Sequence, residues 1–426
     1  MTMSTLHTIT THKKYRELLA EWAADNTDDR NQYKSGPPIP DAIVLVAFRT
    51  RPPNDGEVEL FDAPLDDEET DDEGQVDDAG HDHGLRAKKQ PPVTRPVPKI
   101  PAQRPPEVFM CGVTARPRRM VVHVPNMTWK GAGLLHKSYP ADVCFGPDAT
   151  NEEVYDQTVK TPGLIELAVQ GGVACVIAYG QTSAGKTYSM MGLELAIAQD
   201  LFPLLPVDDT GTTQFEVHVT FLELLGNKAR DLMRADEVGK NIEIREAETG
   251  SVYPALQSTQ VESAKELEDI IVRCLGHRRT AQTSRNAKSS RSHAILTILL
   301  KNKTPGGAGG EIILVDLAGS ERHADSKKHS AARFQETRDN NKSLLALKDC
   351  VRAHVSGAAL VPFRTSKLTL LLKPIFDRKT SRPETHCRHC ARVATYPGRG
   401  AQRKYTWVCV TVQGDMLGPM VGVFWS

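Results

Sequence analysis

The stretch GGVACVIAYGQTSAGKT, residues 171–187, decides how the rest of the chain is read. Residues 172–178 are an apolar run of strand length, and Gly180 to Thr187 fits the rule G-x-x-x-x-G-K-[ST]. A strand, a tight glycine-bearing loop and a helix beginning near Lys186 together form an anion site. Backbone N–H groups and the positive helix end surround a phosphate, the Lys186 ammonium reaches β- and γ-oxygens, and the Thr187 hydroxyl meets magnesium.

Further along, Ile312 to Val315 form a short apolar strand that ends in Asp316, followed by LAGSE. A carboxylate there can hold the water shell of magnesium, and Gly319 offers an unobstructed backbone N–H to a γ-phosphate. Upstream lies NAKSSRSH (286–293), a crowd of hydroxyls, a cation and an imidazole before a strand. Ser289 and Ser290 supply hydroxyls for magnesium and phosphate, and Arg291 is a cation able to pair with Glu321.

The surroundings are those of a globular α/β domain. FEVHVTFLEL (215–224) alternates as a half-buried strand, with Phe215, Val217, Val219 and Phe221 on one face. In SAKELEDIIVRCLGHRR (263–279) the apolar residues recur at helical spacing, and Ser263 with Glu266 forms a capping-box signature. Residues 294–300 and 311–319 are strand-like and are separated by KTPGGAGG, and 341–355 return to helical periodicity. Strands alternating with helices around a phosphate motif predict a central sheet. A short amphipathic helix is expected at 15–26 and a buried strand within 42–54. Between Glu57 and Asp82 the chain is acidic, then at 86–106 proline-rich and basic, so residues 55–107 are expected to be a disordered insertion.

Of the 426 residues, 39% are hydrophobic and the formal net charge is zero, so any acidic partner must be met by a local patch. The lack of a long apolar run or signal-type N-terminus points to an intracellular protein without a membrane span. The cysteines are mostly single and set among apolar residues, which fits reduced core thiols. CRHC (387–390) lacks a second ligand pair, and no metal site is expected there.

AYGQTSAGKT, NAKSSRSH and DLAGSE, in that order, resemble the P-loop, switch I and switch II of the kinesin motor domain. RTRP (49–52), FGPDATNEEVY (145–155), NNKSLLALKDCVRA (340–353) and VPFRTSKLT (361–369) extend the resemblance over 42–377. It implies an α/β P-loop NTPase with a mostly parallel sheet flanked by helices on both faces, ATP and Mg2+ as cofactors, and microtubules as partner. Nucleic acid and membrane are not implied, and the location would be the cytoplasm and its cytoskeleton.

Carried over by residue, Arg51, Pro52 and Tyr155 would flank the adenine. Gly180, Gln181, Thr182, Ser183, Ala184 and Gly185 would hold the phosphates with Lys186 and Thr187, and Tyr188 would adjoin the nucleotide. Thr187, Ser289 and, through water, Asp316 would hold magnesium. Lys186, Ser289, Ser290, Arg291, Gly319 and Glu321 would form the catalytic set, with Arg291 pairing Glu321 when the switches shut. The switch II helix would start near Asn341. Arg364 and Lys367 are the leading microtubule contacts, with Lys327, Lys328 and Lys342 next. Ser183 and Ala184 stand where the family often has glycine and serine, Asn340 where it usually has an apolar residue, and Phe363 where it usually has tyrosine.

LLALKDCVRA looks most like the internal-motor, microtubule-depolymerising kinesins and their divergent relatives, yet their Lys-Val-Asp triplet is absent. No heptad run follows the motor, so no coiled coil is expected. Residues 1–41 would be an N-terminal extension and 378–426 a non-family tail. In that tail ETHCRHCARVATYPGR replaces the expected strand and Val-Ser-Pro turn. Shifted by one base, permitted codons for this stretch translate as RLIVVIAHVSPHIQD, which contains both features. A frameshift or mis-splicing is therefore expected, and with it a sheet lacking its last strand and helix, with an exposed edge. Two main functions follow: a microtubule-stimulated ATPase motor, or a catalytically impaired microtubule-binding relative. An unrelated P-loop enzyme is disfavoured by the switch motifs.

Overall fold

A computed structural model of the chain describes residues 17–26, 44–52, 113–128, 131–234, 241–246, 252–254, 256–280, 291–320, 331–376 and 405–412. The first half contains β1 (Val44–Arg49), β2 (Val113–Arg116), β3 (Arg119–Thr128), β4 (Gly131–Pro140), β5 (Val143–Phe145), α1 (Asn151–Tyr155), α2 (Leu164–Val169), β6 (Val173–Tyr179) and α3 (Lys186–Leu204). There follow β7 (Phe215–Leu225), β8 (Lys228–Asp231), β9 (Ile244–Glu246), β10 (Val252–Pro254), β11 (Thr259–Val261) and α4 (Ala264–Thr280). The last part contains β12 (His293–Asn302), β13 (Gly310–Asp316), α5 (Ala331–Val355), α6 (Lys367–Leu371), α7 (Lys373–Phe376) and β14 (Tyr405–Val412).

The main sheet runs β11-β7-β12-β13-β6-β14-β1-β5, with β8 on the side of β7. β13, β6, β14, β1 and β5 are mutually parallel, whereas β11, β7, β8, β12 and β13 pair antiparallel. The sheet is thus mixed, in correction of the mostly parallel arrangement expected. KTPGGAGG is too short for a crossover and returns β12 directly into β13, and a two-residue turn does the same for β7 and β8.

β6 is continuous in apolar residues because both of its faces are covered. Ala174, Val176 and Ala178 face a core shared with α2, α3 and α4, where Leu193, Ile197, Leu201, Leu267 and Ile271 are buried. Cys175, Ile177 and Tyr179 face the opposite core with Leu344, Leu347 and Val351 of α5 and Leu368 and Phe376 beyond. Each fully buried Leu or Ile contributes about 1.5–3 kcal/mol relative to exposure, so these two layers are what hold β6 and its loop in place.

Two boundaries differ from expectation. α5 starts at Ala331 and not near Asn341, because AARFQETRD consists largely of good helix formers without an apolar stripe to reveal it. At the start of α4, Ser263 Oγ accepts from Glu266 N as predicted, but the Glu266 carboxylate accepts from Glu262 N, one residue earlier than a standard box.

The sheet is not left short of a strand. β14 lies between β6 and β1, parallel to both, with Tyr405–Thr411 opposite Val173–Tyr179 and Trp407–Val412 opposite Val44–Arg49. YTWVCVTV is dense in β-branched and aromatic residues, which favour strands, and its backbone pairs with both neighbours. The expected open edge is therefore corrected; among the described residues no helix follows β14. The insertion 55–107 and CRHC lie outside the described residues.

β2, β3 and β4 form a separate three-stranded sheet and β9 and β10 a small hairpin. The chain divides into two compact units, one of Met1–Thr27, Pro53–Val113 and His123–Leu135, the other of the remainder. In the first, a helix at 17–25 stands where periodicity placed one, and Trp22 meets His123 edge-on at 4.5 Å. All candidate site residues described below belong to the second. No described helix is long and apolar enough to cross a membrane.

Candidate nucleotide-binding site

The loop from β6 to α3 takes its shape from three residues with positive φ: Gly180 at 155°, Ser183 at 64° and Gly185 at 94°. Ser183 occupies the left-handed region that glycine adopts without strain, which gives the serine-for-glycine departure a cost of roughly 1 kcal/mol. Gly185 is the N-cap of α3. Lys186 is buried, its Nζ donating to the carbonyls of Gly180 (3.0 Å) and Gln181 (2.8 Å), so the ammonium sits within the loop. Ser320 N donates to Gly180 O at 3.1 Å, which ties the chain after β13 directly to the loop.

Thr187 Oγ1 donates to Asp316 Oδ2 at 2.7 Å. The same oxygen accepts from Arg278 Nη1 of α4 at 2.6 Å, and both charged residues are buried. Arg278 Nη2 also donates to Ser292 O (3.0 Å), and Ser292 Oγ donates to Glu223 of β7 (2.8 Å). Asp316 Oδ1 is buried without a hydrogen-bond partner among the described residues, as is Glu194 Oε2 of α3. Burial, with Asp316 nearby, pushes the Glu194 carboxyl up to about 8, so it is protonated at neutral pH. A hydroxyl and an orphaned carboxylate oxygen at the end of a phosphate loop are the hard oxygen donors that magnesium and its waters take, so Thr187 and Asp316 fit that ion. Ser289, Ser290 and Glu321 lie outside the described residues.

His293, the last residue of NAKSSRSH, is fully buried in a directional chain of hydrogen bonds. Ala318 N can only donate, and it does so to His293 Nδ1 at 3.1 Å. The ring proton is then on Nε2, which donates to Ser343 Oγ (2.9 Å), and Ser343 donates to Asn340 O (2.7 Å). Burial, reinforced by Arg278 and Lys186, pulls the imidazole down to about 3 and keeps it neutral. One imidazole thereby joins the residue before Gly319 to α5.

Arg49 was not singled out from the sequence, although it is the first arginine of RTRP. It is buried at the end of β1, with Nη1 donating to Asn151 Oδ1 (2.6 Å) and Ser189 Oγ (2.8 Å) and Nη2 to Ala149 O (2.9 Å). Its guanidinium lies 5.5 Å from the Tyr188 ring centroid. Tyr188 is 60% exposed and presents an aromatic face, whereas Tyr155 is 7% exposed and donates its hydroxyl to Asp200 of α3 at 2.8 Å. Tyr155 is thus a packing residue of α1, not an open surface for a base. The spacing in NEEVY turns Val154 and Tyr155 inward together, with the start of α1 held by a Thr150–Glu153 capping box. Arg51 Nη1 donates to Pro52 O (2.9 Å), and Pro52 is exposed. A cleft of about 530 Å³ beside this region is lined by Phe145, Ala149, Glu152, Glu153, Asp156 and Gln157 among others.

Two of the basic residues expected to meet a partner, Arg364 and Lys367, are engaged within the chain. Arg364, though 71% exposed, makes two hydrogen bonds to Glu246 of β9 (2.8 and 2.9 Å). Lys373 adds a third at 2.7 Å, and together the two cations hold the Glu246 carboxyl down at about 2. Lys367 Nζ donates to Asn227 O (2.6 Å), and Lys342 is exposed on α5. Lys327 and Lys328 lie outside the described residues.

Residues 125–382 match the family model for the kinesin motor domain. The chain is 38% identical over 250 residues to the diatom spindle kinesin-1 of Cylindrotheca fusiformis, covering 58% of this chain and 39% of that protein. It is 36% identical over 251 residues to the kinesin-like protein KIN-8B of Arabidopsis thaliana, covering 56% and 30%. The match therefore spans less than half the length of either relative. Among solved structures, the motor domain of the Kar3-like kinesin from Ashbya gossypii superposes with a TM-score of 0.56 at 20% identity, covering 87% of this chain and 92% of that one. A fast kinesin superposes with a TM-score of 0.57 at 23% identity, covering 87% and 85%. Kinesin motor domains bind nucleotide, and with the family match spanning residues 125–382 on a chain of this fold, the protein belongs to the kinesin family.

Proposed function

We propose that the chain is an ATP-dependent motor core that hydrolyses ATP in step with microtubule binding, in the cytoplasm on the cytoskeleton. The observation that carries this reading is the continuous bonding from the phosphate loop through Asp316 and Arg278 to Ser292, and from His293 to α5, because events at a γ-phosphate reach a surface helix by that route. Thr187, Ser289 and, through water, Asp316 would hold magnesium, which would supply positive charge to offset that of the phosphates. Lys186 would leave its loop carbonyls for the β- and γ-oxygens, Ser289 and Ser290 would close on the γ-phosphate, and Arg291 would pair with Glu321. Catalysis would then rest on positioning and charge stabilisation. Tyr188 with Arg51 and Pro52 would adjoin the base. Arg364, Lys367, Lys342, Lys327 and Lys328 would face tubulin, with Glu246 giving up Arg364 to an acidic partner.

Phosphate release measured with and without microtubules tests the reading. Slow basal release that microtubules accelerate, abolished in Lys186→Ala, is expected; release indifferent to microtubules would overturn it. The second reading, microtubule binding without turnover, is favoured by the family match ending at residue 382, before β14. Co-sedimentation with microtubules without accelerated release would support that alternative.

A further inference from the structure

We propose that Asn340 is a positioning residue that couples Arg291–His293 to α5, an inference whose motor readout rests on the proposed function. Asn340 is 4% exposed, and its Nδ2 donates to the Arg291 carbonyl at 2.5 Å. The next residue, Ser292, is held through its carbonyl by Arg278 and through its hydroxyl by Glu223. His293 is held by Ala318 and Ser343. Three consecutive residues are therefore fixed by α4, α5, β7 and the segment after β13, and Asn340 supplies the contact to the first of them, Arg291.

Leu344, Leu347 and Val351 of α5 are buried in the core, and Ser343 and His354 are the other polar residues buried on this helix among the described residues. An asparagine among them is a poor choice for stability alone. Its Oδ1 is buried without a hydrogen-bond partner among the described residues, and a buried acceptor left unmade is costly where an apolar side chain of similar size would pack without loss. What the amide supplies and leucine cannot is a grip on a backbone carbonyl. Ser343, one turn along the helix, grips His293 and returns its own proton to the Asn340 carbonyl, so main chain and side chain of Asn340 both belong to the junction. A shift of α5 must carry the Arg291 carbonyl with it or break this bond, and in either case the helix and the segment before β12 report on one another.

The test uses the full chain with Asn340→Leu, which keeps bulk and removes the amide, and Asn340→Asp, which keeps shape but sets an acceptor against the carbonyl. In both, amide hydrogen exchange in the peptide spanning Arg291–His293 is expected to quicken about fivefold, the weight of one hydrogen bond. The ratio of microtubule-stimulated to basal phosphate release should fall by a similar factor, with the melting temperature of Asn340→Leu at or above that of the unaltered chain. Unchanged exchange in both variants would overturn the assignment, and so would an unchanged release ratio in a chain that microtubules do stimulate. If microtubules do not stimulate the unaltered chain, the motor reading fails, and the exchange measurement still decides the role of Asn340.

Discussion

Replacing Arg278 by methionine should be among the most damaging single changes in the site. Arg278 and Asp316 are 2% and 3% exposed, with Nη1 and Oδ2 2.6 Å apart. At an effective dielectric of about 20 their attraction is roughly 6 kcal/mol, much of which offsets the desolvation of both ions. Removing one partner leaves Asp316 buried and charged, with Oδ1 already lacking a partner. The expected destabilisation is about 3–5 kcal/mol, because an uncompensated buried charge costs more than the pair contributes. Adding Asp316→Asn removes the stranded charge and should recover about 2 kcal/mol, since neutral amides desolvate more cheaply than carboxylates. Urea unfolding followed by tryptophan fluorescence and circular dichroism gives each value, and the double-mutant cycle gives the coupling. A loss below about 1 kcal/mol in Arg278→Met, with no recovery in the double variant, would show that Asp316 is solvated and that the buried-pair reasoning is wrong.

Ser183→Gly relieves the left-handed strain at φ 64° and should stabilise the chain by about 0.5–1 kcal/mol, read as a higher urea midpoint; an unchanged midpoint means that the loop relaxes around serine. His293 titrates at about 3 in the fold against 6.5 ordinarily, so the unfolded chain binds the extra proton between those values. Its contribution is complete above pH 6.5 and falls by up to about 1.4 kcal/mol per pH unit as acid is added, and His293→Gln should flatten that slope in pH-dependent melting. Deleting 405–412 strips β6 and β1 of their shared partner and should drive aggregation, read as light scattering; unchanged scattering with native circular dichroism would deny β14 a stabilising role.

The phosphate loop was legible because its requirements are local. A strand, glycines at Gly180 and Gly185, and Lys186–Thr187 must follow one another in sequence, and the structure shows β6, the positive-φ residues and α3 in that order. The strands at 215–225, 293–302 and 310–316 and the helix at 264–280 were legible for the same reason, since periods of two and 3.6 are written in neighbouring residues. The early start of α5 was not, because AARFQETRD has no run of apolar residues at helical spacing.

Other features depend on partners far apart in the chain. Arg49 meets Ser189 across 140 positions, Arg278 meets Asp316 across 38, and Asn340 meets Arg291 across 49, and no spacing rule marks any of the three. Tyr155 illustrates the converse: its place in a family-like motif pointed to a base contact, while packing on α3 turns it into the core. β14 is the clearest case. By itself the sequence determined the strand-loop-helix from β6 to α3, because that arrangement is set by residues adjacent in the chain. Only the tertiary structure decided what fills the gap between β6 and β1, because a slot bounded by two parallel strands selects its occupant by backbone pairing and β-propensity, which YTWVCVTV supplies.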